Sequence, residues 1–188
     1  MYKVIFDNVH WTKLECSMFV NHTGECIFDA FETRFQDILL DRYSHIKDIQ
    51  IHCFTINQYQ QLKEAEEITW NNDTFAYTVS RTPDYPNIFA SIIYSPDQCR
   101  NLDLNIEEML SAIGHEIGHI IHYFNEALDC RNSRVIEIKA DEVAYELGLG
   151  NALINVLNKL ISTGKDSDPQ NLELSFRRDY LKLLLNAR

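Results

Sequence analysis

Residues 112–123 read AIGHEIGHIIHY, with His115 and His119 four positions apart and Glu116 directly after the first of them. On an α-helix that spacing is about one turn, so both imidazoles project from one side and can converge on a single ion. Glu116, one position round, is aimed to reach a water on that ion rather than to bind it alongside both histidines. Two ligands and a general base on one turn is the geometry of H-E-x-x-H, and its chemistry is metal-assisted hydrolysis with zinc as the expected cofactor. A catalytic zinc keeps one position for water and takes three protein ligands, so a third donor is required. His122 is expected only at the margin of the site, because three ligands from one helix would splay round its axis. Residues 133–148, SRVIEIKADEVAYELG, offer Glu137 and Asp141, four apart and on one helical face.

The elements that must position these groups can be read from periodicity. Asn105 with Glu108 three residues later resembles a capping box, and Ile106, Met109, Leu110, Ile113, Ile117, Ile120, Ile121 and Phe124 follow as one apolar stripe. A helix over 106–126 is expected, and a second over 133–148 with Ile136, Ala140, Val143, Ala144 and Leu147 on its apolar side. From His119 to Glu126 is seven residues, roughly 10 Å of helix, and from Ser133 to Glu137 is four, roughly 6 Å. If residues 127–132 fold the two helices into an antiparallel hairpin, Glu137 comes level with the histidines to within about a turn. Glu137 is then the expected third ligand. The competing reading makes Glu137 and Asp141 a solvated helix face, or partners of Arg131, Arg134 or Lys139. Gly114 and Gly118 each cost a helix about 1 kcal/mol relative to Ala, which close approach of a sheet or a neighbouring helix would offset.

The first half of the chain mixes signals. Short strands are expected near 2–6, 49–56, 75–80 and 88–95, with helices over 25–43 and 57–68 and a turn in RTPDYPN. Two more helices, 151–163 and 169–186, complete the second half. Together these predict an α+β domain, a small sheet followed by a helical C-terminal half. The 188 residues are read as a single domain, with an α/β part at 1–86, a catalytic core at 87–150 and C-terminal helices at 151–188.

Composition limits the partners. A net charge of −11 opposes binding to nucleic acid, which depends on Lys and Arg neutralising phosphates. Cysteines at 16, 26, 53, 99 and 130 form no CxxC pair, and an odd number of them fits reduced thiols in a cytoplasmic protein. No signal-peptide pattern opens the chain and no apolar run approaches the ~20 residues of a membrane span. His10, His22, His45 and His52 stand alone and are read as structural.

HEIGH followed by EIKAD is similar to the gluzincin metallopeptidases, in which HExxH precedes a glutamate ligand in an ExxxD or ExxA context. Within that group it resembles the prenyl-protein and HtpX-type peptidases, the minigluzincins and the ImmA/IrrE-type peptidases. The match covers about a third of the chain, residues 88–148, and lacks the membrane spans of the prenyl-protein type. The resemblance implies a zincin-like fold with a small mixed sheet, one edge strand of which packs on the active-site helix. It implies His115, His119 and Glu137 as zinc ligands, Glu116 as general base and acid, and Asp141 as support for a zinc histidine. It also implies peptide capture by strand addition along Ile88, Phe89, Ala90, Ser91 and Ile92.

The expected reaction is hydrolysis of a peptide or protein substrate. Its developing oxyanion needs a partner, for which Tyr123, Tyr145, Arg177, Arg178 and Tyr180 are all chemically able. Two rival classes share the same ligands: a zincin-like regulatory or partner-binding module, and a self-inhibited proenzyme or toxin. Retention of Glu116 favours the enzyme, since a purely structural site has no use for a base.

Overall fold

The computed structural model describes residues 5–7, 27–44, 50–56, 76–79, 90–123, 133–164 and 169–187. The chain divides into two compact units, Met1–Cys99 and Arg100–Arg188. This division falls inside the segment 87–150 that the sequence suggests as a catalytic core. The expected helix at 57–68, the turn at 81–87, and His10, His22 and His45 lie outside the described residues.

The first unit contains β1 (Ile5–Asp7), α1 (Ile27–Arg42), β2 (Gln50–Thr55), β3 (Ala76–Val79) and β4 (Ala90–Tyr94). Phe31, Phe35 and Leu39, at spacings of four, form the buried stripe of α1, and the rings of Phe31 and Phe35 lie 5.0 Å apart by centroid. The strands pair in the order β1-β2-β4-β3, with β4 parallel to β2 and antiparallel to β3. Ile92 faces Cys53 on one side and Thr78 on the other. A short helix, α2 (Pro96–Asn101), spans the division between the units.

Two expectations are corrected here. Ala90, Ser91 and Ile92 do not belong to an edge strand, because β4 lies between β2 and β3: Ser91 and Ile92 are paired on both sides and Ala90 is paired with Ile51. Ile88 and Phe89 lie outside the described residues. The α+β class is overturned as well: the described structure is mostly helical, its strands are short, and the unit that carries the histidines has no strand among its described residues. Strand order depends on pairings between distant segments, which local alternation cannot supply.

The second unit is built of α3 (Ile106–Tyr123), α4 (Ser133–Glu146), α5 (Gly150–Thr163) and α6 (Pro169–Asn186). Asn105 starts α3 with a complete capping box: its Oδ1 accepts from the Glu108 N–H at 3.0 Å, and its own N–H donates to Glu108 Oε2 at 2.8 Å. Lys159 Nζ from α5 reaches the same Glu108 oxygen at 2.7 Å, which fixes α5 against the start of α3. At the end of α4, Gly148 takes φ +82°, and the Gly148 and Leu149 N–H groups bond back to the Tyr145 and Ala144 carbonyls. Pro169 opens α6 at the position where its missing N–H costs nothing.

α4 packs on α3, α5 and α6. The core between them holds Leu110, Ile113, Ile117, Ile120, Val143, Leu153, Leu157, Leu174 and Leu181. Burying each of the branched aliphatic side chains is worth roughly 1.5–3 kcal/mol. Gly118 lies against Ala140 and Gly114 against Ala144, so α3 and α4 run antiparallel. Their backbones come so close that a Cβ at Gly118 would stand 2.6 Å from the Ala140 Cα and 2.8 Å from its carbonyl oxygen. At Gly114 the nearest atoms would be at 3.4–3.5 Å, ordinary contact.

The two glycines should therefore respond oppositely to alanine. Gly118→Ala must push two helix backbones apart and is expected to destabilise by roughly 1–3 kcal/mol. Gly114→Ala is expected to be neutral or to stabilise by up to about 1 kcal/mol through helix propensity. Urea denaturation of the two variants measures both, and equal stability would mean that the helices do not touch at Gly118.

Candidate metal centre

The antiparallel pairing of α3 and α4 brings the histidine turn opposite Glu137. The Nε2 atoms of His115 and His119 are 3.0 Å apart. Glu137 Oε2 lies 3.4 Å from His115 Nε2, and Glu137 Oε1 lies 3.4 Å from His119 Nε2. Tetrahedral ligands placed about 2.0–2.1 Å from zinc stand about 3.3 Å from one another, a value close to each of these separations, which reach the two histidines from different Glu137 oxygens. Nitrogen and carboxylate donors are also the set that zinc takes.

His115 is held from behind. His115 Nδ1 is 2.8 Å from Asp141 Oδ1, an arrangement in which Nδ1 donates and Nε2 keeps its lone pair for the ion. The Asp141 side chain has no exposure at all. Glu116 is buried beside the histidines, and its charge acts on both His119 and Arg177. His122 points elsewhere: its Nε2 donates to the Lys139 carbonyl oxygen at 3.2 Å.

Of the groups named as oxyanion partners, only Arg177 lies at the ligands. Tyr145 donates to the Leu184 carbonyl at 3.0 Å, Tyr180 donates to Glu142 Oε1 at 2.5 Å, and Arg178 pairs with Asp179 at 2.9 Å. Tyr123 is 61% exposed. Arg177 instead donates Nε to Asp141 Oδ2 at 2.8 Å and Nη2 to Asp141 Oδ1 at 2.7 Å, while Nη1 meets Glu137 Oε2 at 2.6 Å. The sequence named this residue for another task. Its position held the signal, since Asn171, Leu174, Arg177 and Leu181 follow spacings of three, three and four on the buried face of α6. An arginine on such a stripe is buried only when paired.

The side chains alone set strong proton preferences. Burial and the Arg177 charge oppose protonation of His115, but its hydrogen bonds and attraction to Asp141 and Glu137 prevail and push it up to about 9. Burial and the His115 charge drive His119 downward. Burial of Glu137 favours its neutral form, yet the bond to His115 and the charges of His115 and Arg177 hold its carboxyl well below the usual carboxylate range. Asp141 is also lowered: burial opposes ionisation, and Arg177 and then His115 overcome it. Three carboxylates thus face one guanidinium, a surplus of negative charge that attracts a proton or a cation.

These shifts give a pH profile for protein stripped of metal. Glu137 and Asp141 titrate lower in the fold than their ordinary values of 4.5 and 3.8, so their stabilisation is present above those values and is lost as pH falls. His115 titrates higher, so its contribution is full below 6.5 and is lost as pH rises through about 9. The lowered His119 adds a loss below 6.5, so the melting temperature in chelator should be highest near pH 6.5 and should decline on both sides. Asp141→Asn should shrink the alkaline decline, because the main group raising His115 has gone. A wild-type melting temperature that stays level from pH 6.5 to 9 would contradict the His115–Asp141 bond. No family model, curated protein or solved structure matches the chain, so its functional reading rests on the chemistry of this site.

Proposed function

We propose that the chain is a zinc metallopeptidase of the gluzincin type, acting on a peptide or protein substrate. The observation that carries this reading is the triangle of His115, His119 and Glu137, whose ligand atoms all lie within 4.8 Å of one another, with Glu116 on the same helical turn. A purely structural site would fill its fourth position with a further protein donor, and among the described residues the group contains only these three.

Zinc held there supplies a Lewis acid that polarises a carbonyl and acidifies water. Glu116 accepts the proton of the attacking water and returns it to the leaving amine. Asp141 keeps His115 in the tautomer that presents Nε2, and Glu137 supplies the anionic donor. Arg177 is spent on the two carboxylates, so stabilisation of the oxyanion falls to another group. Among the described residues no helix is long and apolar enough to cross a membrane. The cysteine pattern carries the cytoplasmic setting into this proposal.

Purified protein is expected to hold one zinc per chain, measured by elemental analysis. Glu137→Ala should abolish retention, and Asp141→Ala should weaken it by about 10- to 100-fold. Glu116→Gln should stay folded and metallated while cleavage of a peptide library falls at least ~10²-fold, the loss expected for a positioned base. Unchanged cleavage in the metallated Gln variant removes Glu116 from the mechanism. Zinc binding with no cleavage by wild type would favour the partner-binding module or a self-inhibited form. Failure of native protein to take up zinc would remove the proposal.

A further inference from the structure

Arg177 carries more of the metal site than its distance in sequence suggests. Its guanidinium makes a two-pronged contact with Asp141 through Nε and Nη2, at 2.8 and 2.7 Å, and Nη1 grips Glu137 Oε2 at 2.6 Å. One rigid plane therefore spans the orienting carboxylate and the third ligand, which sit one turn apart on α4. Nη2 also lies 3.3 Å from His115 Nδ1, but that nitrogen already faces Asp141 Oδ1 at 2.8 Å, so the two donors share one acceptor. Oε2, gripped by the guanidinium, also lies 3.4 Å from His115 Nε2, and Oε1 lies 3.4 Å from His119 Nε2.

Two effects of this cation on metal binding oppose each other. Its charge repels a divalent ion, which alone would make its removal tighten binding. Its contacts hold two buried carboxylates in place, and removal would leave the Asp141 side chain, at 0% exposure, without its main counter-charge. Guanidinium, Glu116, Glu137 and Asp141 together leave two negative charges over, which a divalent ion neutralises; the repulsion is thus already offset locally. The contacts, at 2.6–2.8 Å and out of solvent, are the larger effect.

We infer that Arg177 is a positioning residue for the metal centre: it fixes the Glu137 carboxylate in front of His115 and His119 and holds Asp141 on His115, so that the ligands are assembled before the metal arrives. The inference rests on the metal-site reading above.

The test uses the full chain with zinc and cobalt(II) as probes. Zinc affinity is measured by competition with a chromophoric chelator, and the visible cobalt spectrum reports ligand number and geometry. Arg177→Gln, folded by circular dichroism, is expected to bind zinc about 10- to 100-fold more weakly and to shift the cobalt bands as Glu137 is released. Arg177→Lys should recover only part of the loss, because one ammonium cannot span both carboxylates. Arg178→Gln, at the neighbour that pairs with Asp179 instead, should match wild type. If the Gln variant does not fold, Arg177→Lys carries the test, with at least ~10-fold weaker zinc binding expected. Wild-type affinity and spectrum in whichever variant folds would overturn the inference, as would tighter binding, which would make Arg177 a competitor of the ion. Those results, with a metal-binding wild type, leave the metal site standing. A wild type that takes up neither zinc nor cobalt overturns both.

Discussion

Where Gly118 lies against Ala140, the backbones of α3 and α4 touch, and that contact sets the distance across which His119 meets Glu137. Any Cβ at position 118 would fall 2.6 Å from a backbone atom of α4 that no rotamer change can move. A wider separation would leave the imidazoles and the carboxylate too far apart to share an ion of about 2.0 Å bond length. Helix propensity is given up at this glycine, and the site gains its dimension in return. Ala140 and Ala144 serve the same end from α4, presenting the smallest side chain that keeps a helix stable.

Around that contact the charges form one connected system. His115 links Glu137 and Asp141, and Arg177 links the same two carboxylates from the opposite helix. Each group is buried at a cost that only its neighbours offset, which is why the shifts run in opposite directions for His115 and His119 although they lie one turn apart. His115 has a carboxylate behind its ring and one in front. His119 has Glu137 in front and faces the His115 charge, so it is the histidine that stays neutral and open to a metal.

The sequence made some of this legible and hid the rest for physical reasons. The start of α3, the convergence of His115 with His119 and the arrival of Glu137 follow from helix geometry and short arithmetic. All three depend on contacts within one turn or across one hairpin. The strand order did not follow: alternation shows that 90–94 is a strand, but whether it is inner or outer depends on residues 50–55 and 76–79. The edge strand came from the family resemblance and the α+β expectation from local strand signals, neither of which carries the pairing. Arg177 was visible as a residue and missed in its role, because FRRDY offers two arginines and only the buried register of Leu174 and Leu181 separates them.

Folding and metal binding are separable in such an arrangement. Small zinc domains often have too little core to fold without the ion, so their binding energy is folding energy. Here the aliphatic core of α3 to α6 and the capped helix ends supply the stability, and the guanidinium neutralises part of the charge that would otherwise drive Glu137 and Asp141 apart. A metal entering this site, on the proposed reading, meets donor atoms already within 4.8 Å of one another and displaces a proton from His115 rather than ordering a chain. Its apparent affinity then reflects donor geometry and competition with that proton, and little of it is consumed in holding the protein together.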